Sequence, residues 1–187
     1  MIPDDRRKDV DKDSQGPKAG CDEMKILILG DTHGRDEPFM DVLKEVESFD
    51  LLLYTGDSEG FDIVYDEFSP APVIRIAGNN DFLTDAPYER TFLLNGFRIF
   101  MTHGNRYDLF EGYDRICRMA RQKRADILVC GHTHQPVARC EEGLLVLNPG
   151  SISYPRQKTR RPTYIVLTLP DDKTSGAPKY EIRTLTT

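Results

Sequence analysis

The sequence predicts an α/β fold in which two packed β-sheets carry helices on their outer faces. Three observations lead there. Short, wholly apolar segments early in the chain, such as Ile26-Leu27-Ile28-Leu29 and Leu51-Leu52-Leu53-Tyr54, alternate with helical or loop segments, the pattern of a largely parallel sheet. Later apolar segments come in adjacent pairs, the pattern of antiparallel ribbons. The chain has 187 residues, enough for one domain with a proper core and too few for two comfortable ones.

The elements follow in order. Residues 1–23 hold seven acids, five bases and almost nothing to bury, so a disordered tail is expected there, with a single domain over 24–187. Lys25 to Leu29, stopped by Gly30-Asp31, reads as a short buried strand. In the helix that follows, Asp36 can cap, Pro38 suits the first turn, and Phe39, Val42, Leu43 and Val46 share one face. Leu51 to Tyr54, stopped by Gly56-Asp57, and Val73 to Ala77, stopped by Gly78-Asn79, are the second and third strands. Thr91 to Leu94 and Phe97 to Met101 flank Asn95-Gly96, a dipeptide that favours a two-residue hairpin turn. Leu109, Tyr113, Ile116, Cys117 and Ala120 mark an amphipathic helix whose other face, with Arg115, Arg118, Arg121 and Arg124, reads as solvated. Asp126 to Cys130 is a buried strand stopped by Gly131-His132. Val137–Cys140 with Leu144–Leu147, and Tyr164–Leu169 with Tyr180–Leu185, read as antiparallel pairs.

Composition narrows the function. Apolar residues make up 39% and charged residues 30%, as in an ordinary globular protein. A net charge of −6 disfavours a general nucleic-acid-binding surface, so no stable nucleic-acid complex is expected. No apolar run approaches the ~20 residues that span a bilayer, and residues 1–23 lack the apolar stretch of a secretory signal. Cys21, Cys117, Cys130 and Cys140 form no C-x-x-C pair and read as reduced thiols of a cytoplasmic protein. A homodimer is compatible with base rates.

One pattern organises the rest: strand after strand ends in glycine beside a metal-capable residue. Gly30-Asp31 opens Asp31-Thr32-His33. Gly56-Asp57 and Gly78-Asn79 end the next two strands, Thr102-His103-Gly104 ends the hairpin, and Gly131-His132-Thr133-His134 ends the fifth. All four histidines of the chain lie at these ends. Ligands of open α/β sheets bind beyond the carboxyl ends of strands, so five ends could converge on one place. In extended backbone, residues i and i+2 project to one side, which would let Asp31 with His33, and His132 with His134, aim together. Asp31, His33, Asp57, Asn79, His103, His132 and His134 are too many ligands for one tetrahedral zinc site. They suit two divalent ions that share a carboxylate. Oxygen and imidazole donors without thiolate fit Mn, Fe, Co, Ni or Zn better than Ca, with Mn placed first.

With these residues in order, the chain resembles the calcineurin-like metallophosphoesterase superfamily. The signature of that family is Asp-x-His, Gly-Asp, Gly-Asn, a lone His, and Gly-His-x-His. Together with Asn148-Pro149-Gly150-Ser151, these motifs make the chain similar to its small bacterial and archaeal phosphodiesterases over about Met24 to Leu185. The resemblance implies a four-layer α/β/β/α sandwich of two mixed sheets, the metallo-dependent phosphatase fold. It implies that Asp31, His33, Asp57 and His134 hold one ion, that Asp57, Asn79, His103 and His132 hold a second, and that Asp57 bridges them. It further implies hydrolysis of a small phosphate ester, a phosphodiester above all, by in-line attack of a hydroxide held between the ions. Asp57, Asn79 and His103 would then act on the reacting phosphoryl group. Related phosphatases often place a proton-donating histidine where this chain has Asn80. An amide does not titrate near neutral pH, although Asn80 could donate a hydrogen bond to a phosphate oxygen. Esters with good leaving groups are therefore expected. Arg35 and Arg156 are candidate phosphate contacts, and the Asn148–Ser151 turn is read as a loop bracing the site. The same resemblance leaves two alternatives: a phosphomonoesterase or nucleotide hydrolase on the same ions, and a protein-interaction scaffold like the retromer subunit that shares the fold.

Overall fold

The computed structural model describes residues 23–35, 37–60 and 62–186. Of the tail expected over 1–23, residues 1–22, with Cys21, lie outside them, as does the expected cap Asp36. In order come β1 (Glu23–Leu29), α1 (Glu37–Glu45), β2 (Leu51–Tyr54), α2 (Asp62–Phe68), β3 (Val73–Arg75), β4 (Glu89–Leu94), β5 (Phe97–Thr102), α3 (Asp114–Gln122), β6 (Ile127–Val129), β7 (Pro136–Glu141), β8 (Leu144–Pro149), β9 (Thr163–Pro170) and β10 (Lys179–Thr184). A single 3₁₀ turn at Asn105–Tyr107 precedes α3.

Two five-stranded sheets result. The first runs β10-β9-β1-β2-β3 and the second β4-β5-β6-β8-β7. Both are mixed. β1, β2 and β3 are parallel neighbours, as are β5, β6 and β8, while β9, β10, β4 and β7 add antiparallel edges. Strand alternation then builds three apolar layers. Ile26, Ile28, Leu51 and Leu53 of the first sheet meet Ile99, Met101, Ile127 and Val129 of the second. On the other face of the first sheet, Leu27, Leu29, Leu52 and Tyr54 pack under Phe39 and Val42 of α1 and Tyr65 of α2. On the other face of the second, Phe100, Leu128 and Val146 pack under Ile116, Cys117 and Ala120 of α3. The architecture is thus the expected α/β/β/α sandwich. Strands that bury both faces have to be continuously apolar, which is why the sequence marks them by runs and not by alternation.

Several boundaries differ from the expectations, each for a local reason. Glu23 belongs to β1, paired with Pro170, because a ladder extends past the apolar run once a partner strand is present. β3 ends at Arg75. Ala77 N–H bonds to Pro87 O, so the chain has already turned toward the site. Leu109 and Tyr113 precede α3. Asp108 (φ 53°) and Gly112 (φ 138°) break the backbone there, although Leu109 still packs into the same apolar layer. The Asn95-Gly96 turn has φ of 47° and 77°, the double left-handed geometry of a tight hairpin, and Glu142-Gly143 repeats it with 49° and 79°.

Leu53 is fully buried between the sheets. Leu53→Ala should cost about 2–5 kcal/mol, read as a lower urea midpoint at unchanged slope.

Candidate metal centre

All seven singled-out residues sit at strand ends on one end of the sandwich. Two glycines let the ends of β2 and β3 touch. A Cβ at Gly56 would strike the backbone of Gly78, and one at Gly78 would strike Oδ1 of Asp57. Across the sheets, His132 N–H reaches Asp31 Oδ2 at 3.2 Å.

Acceptor atoms crowd together here. His134 Nε2 lies 3.3 Å from Asp31 Oδ1 and 3.1 Å from His33 Nε2. Asp57 Oδ2 lies between two imidazoles, 3.7 Å from His33 Nε2 and 3.4 Å from His103 Nε2. His103 Nε2 is 3.2 Å from Asn79 Oδ1. Asp31 Oδ1 is buried without a hydrogen-bond partner. Two groups of donor atoms lie mutually within 4.8 Å, Asp31-His33-His134 and Asp31-Asp57-His103. His132 stands slightly apart. It is half-buried, and its ring centroid is 5.1 Å from those of His103 and of Phe110.

The outer nitrogens of three imidazoles are anchored. His103 Nδ1 bonds to Thr55 O at 2.8 Å, His134 Nδ1 to Tyr154 O at 2.7 Å, and His33 Nδ1 to Glu59 Oε1 at 2.8 Å. A carbonyl or carboxylate oxygen only accepts, so each Nδ1 carries the hydrogen. Each Nε2 in the neutral ring then presents a lone pair inward. Lone pairs of His33 and His134 facing one another at 3.1 Å beside an unpartnered carboxylate oxygen repel. A cation among them removes the repulsion, and the oxygen and imidazole donors suit a divalent transition metal.

The titration of the metal-free cluster fits this geometry. Burial works against ionised Asp57, but the hydrogen bond and charge of His103, the Asn80 N–H and His33 together hold its carboxyl down at about 2. Burial likewise opposes protonated His103, yet its hydrogen bond to Asp57 and the charges of Asp31 and Asp57 raise it to about 9. His132 is lowered, by burial first and then by the charge of His103.

The extended-backbone argument for Asp31/His33 and His132/His134 does not hold. Asp31, His33, Asp57, His132 and His134 all have positive φ, between 48° and 70°. Left-handed conformations of non-glycine residues persist where surrounding bonds over-determine them. Here His33 and His134 aim into one cluster from different sheets, while His132 points toward His103.

The bonds that do this involve residues the sequence reading missed. Asp81 is the hub. Its carboxylate accepts from the N–H groups of Gly78 (2.8 Å), Asp57 (2.7 Å), Ser58 (2.7 Å) and Glu59 (2.8 Å), and from Ser58 Oγ (3.0 Å). Thr32 Oγ1 meets Tyr54 OH at 2.6 Å and Tyr65 OH at 2.5 Å, pinning Asp31-Thr32-His33 to the layer below. A carboxylate directly after Gly78-Asn79-Asn80, where loop N–H groups need acceptors, was the available signal for Asp81. Nothing in sequence marks Glu59 or Tyr154.

The remaining candidates fall as follows. The Asn148–Ser151 turn braces the site: Asn148 Nδ2 donates to Gly131 O at 2.8 Å and Ser151 Oγ to Asp31 O at 2.7 Å. Asn80 is spent partly on Asp57, with its N–H 2.8 Å from Oδ1 and Nδ2 3.0 Å from Oδ2. Arg35 lies over the Tyr154 ring at 4.5 Å, on the rim. Arg156 lines a cleft beside His33 and His134.

Fold and site together define a phosphoesterase-type sandwich with residues able to hold metal. The chain belongs to the calcineurin-like phosphoesterase superfamily, whose domain model matches residues 24–172. It is 32% identical over 150 residues to "Probable metallophosphoesterase YsnB" of Bacillus subtilis, covering 80% of this chain and 86% of that protein. Over a shorter stretch of 93 residues it is 34% identical to phosphodiesterase YfcE of Escherichia coli, covering 45% of this chain and 46% of that one. Among solved structures, a predicted phosphoesterase from Streptococcus pneumoniae superposes with a TM-score of 0.70 at 26% identity, covering 88% of this chain and all of that one.

Asp81→Asn turns an amide toward the N–H groups of Gly78 and Asp57. It should cost on the order of 3 kcal/mol in urea unfolding and lower the metal retained per chain. In metal-stripped protein, the raised His103 stabilises the fold fully below its ordinary value of 6.5, and that contribution is lost as pH rises through about 9. The depressed Asp57 acts the opposite way. Its contribution is present above 3.8 and lost as pH falls through about 2. Melting temperature against pH, measured after chelation, should therefore fall on both flanks.

Proposed function

We propose that the protein is a dinuclear-metal phosphodiesterase acting on small phosphate esters. The observation that carries this reading is the convergence of Asp31 Oδ1, His33 Nε2, Asp57 Oδ2, Asn79 Oδ1, His103 Nε2 and His134 Nε2 with few hydrogens to share among them. Asp31, His33, Asp57 and His134 would hold one ion and Asp57, Asn79, His103 and His132 the other. The position of Asp57 Oδ2 between His33 and His103 supports its being the shared ligand. Manganese is the ion this donor set favours in our reading, with nickel, iron, cobalt or zinc able to replace it. Such ions, when bound, neutralise phosphoryl charge and acidify water.

The residues of the chain divide the remaining work. The anchors of His33, His103 and His134 keep the imidazoles pointed inward, so little reorganisation is left for the reaction. Asn80 steadies Asp57 through two hydrogen bonds and keeps one amide hydrogen for a phosphate oxygen. Since Asn80 cannot donate a proton to the departing oxygen, the reading favours esters whose leaving group needs none. A small ester is the only partner this function requires, and the cytoplasm is the compartment it suits. The scaffold alternative gives no reason for the chain to carry all seven ligand residues.

Wild-type protein, stripped by chelation and reloaded with manganese, should hydrolyse bis-aryl phosphate faster than the matching aryl monophosphate. Asp57→Asn should lose bound metal, measured per chain, together with that hydrolysis. Full activity of the variant would refute the shared-ligand role, and faster turnover of the monoester would favour the phosphomonoesterase alternative.

A further inference from the structure

The cleft next to the centre presents two arginines, Arg156 and Arg160, beside the imidazoles of His33 and His134. It holds about 420 Å³ and is lined by His33 and His134 on one side and by Tyr154, Arg156 and Arg160 on the other. From Gly143 to Pro170 the sequence contains no acid, while Arg156, Lys158, Arg160 and Arg161 follow one another within six positions. This occurs in a chain with 31 acids against 25 bases. Two of these cations, Arg156 and Arg160, line the cleft itself.

The segment is also fixed in place. Arg156 N–H bonds to His134 O at 2.9 Å, tying its backbone to a residue of the centre. Arg160 N–H closes a turn on Gln157 O at 3.0 Å, and its guanidinium reaches back to Pro155 O at 3.4 Å. Arg35, from the loop after His33, lies on the Tyr154 ring and adds a further cation at the rim. Arg35, Arg156 and Arg160 are exposed and have no carboxylate partner among the described residues. Glu59, the acid on this cleft, is engaged with His33.

We propose that this cleft is a second phosphate site, in which Arg156 and Arg160 bind a phosphoryl group other than the one hydrolysed, so that the preferred substrates are phosphate esters carrying a further phosphate. The proposal rests on the phosphoesterase reading of the adjoining centre. Guanidinium forks match phosphate oxygens in pairs, and a loop held before binding loses little entropy when they do. Both a pyrophosphate linkage and a phosphate on a separate carbon offer that chemistry.

Calorimetric titration of the full chain, with manganese and after chelation, tests this with thymidine 5′-phosphate, thymidine 5′-diphosphate and thymidine 3′,5′-bisphosphate. At least one of the two doubly phosphorylated probes should bind about tenfold more tightly than the monophosphate, the size expected of a few exposed charge-assisted contacts. Which one does so identifies the linkage. The Arg156→Ala/Arg160→Ala double variant should lose the advantage, while Arg118→Ala, on the exposed face of α3, should keep it. Both arginines are exposed and their backbone bonds survive truncation, so the double variant keeps its core. Equal binding of all three probes by the wild type would overturn the proposal, as would an advantage that survives the double substitution. Hydrolysis of bis-aryl phosphate is read separately, so its absence would sink the phosphoesterase reading and leave the titration to decide the cleft.

Discussion

Everything at the candidate metal centre of this molecule answers to one electrostatic constraint: too many acceptor atoms meet in too little space. Carboxylate, amide and imidazole lone pairs from both sheets converge, and Asp31 Oδ1 has no hydrogen to accept. In the metal-free protein a proton retained on His103 to about pH 9 supplies part of the missing positive charge. Metal bound by the two groups of donors able to hold it would supply the rest. The surrounding structure resists the tendency of these groups to move apart.

That resistance is distributed over backbone and loops. Five of the seven residues hold left-handed backbone, a conformation unfavourable for non-glycine residues unless neighbours enforce it. Asp81 enforces it by gathering four backbone N–H groups, and the Asn148–Ser151 turn does so from the second sheet. Each interaction is an ordinary hydrogen bond. Their shared effect is to convert a locally unstable arrangement into the only one available, at the expense of stability generated in the three apolar layers below.

The mouth of the site is asymmetric. Toward His33 and His134 it is cationic, with Arg156 and Arg160, whereas beyond Asn80 it is bordered by the exposed side chains of Phe82 and Leu83. Among the described residues no inserted cap closes over it. In the function proposed above, the charged rim segment would meet the parts of a substrate away from the reacting phosphorus.

The fold class was legible in the sequence, and so was the gathering of the seven candidate residues at one end of the sandwich. Strands buried on both faces must be apolar runs, and the glycines that stop them sit beside residues such as Asp57, Asn79 and His132 whose chemistry has few other uses. The hairpin turns were legible for a similar reason, since Asn95-Gly96 tolerates a backbone that few dipeptides do. Other features were decided only in three dimensions. Whether α3 begins at Leu109 or Asp114 depends on the break at Gly112, and the aim of His33 and His134 depends on left-handed backbone held by distant partners. The role of Asp81 depends on four N–H groups that come together only after β2 and β3 are side by side. Local composition encodes burial and turn geometry because these act within a few residues of chain. The direction of a side chain in a shared site, and the partner of its far nitrogen, are set by contacts between segments as much as 120 residues apart, which a linear string does not contain.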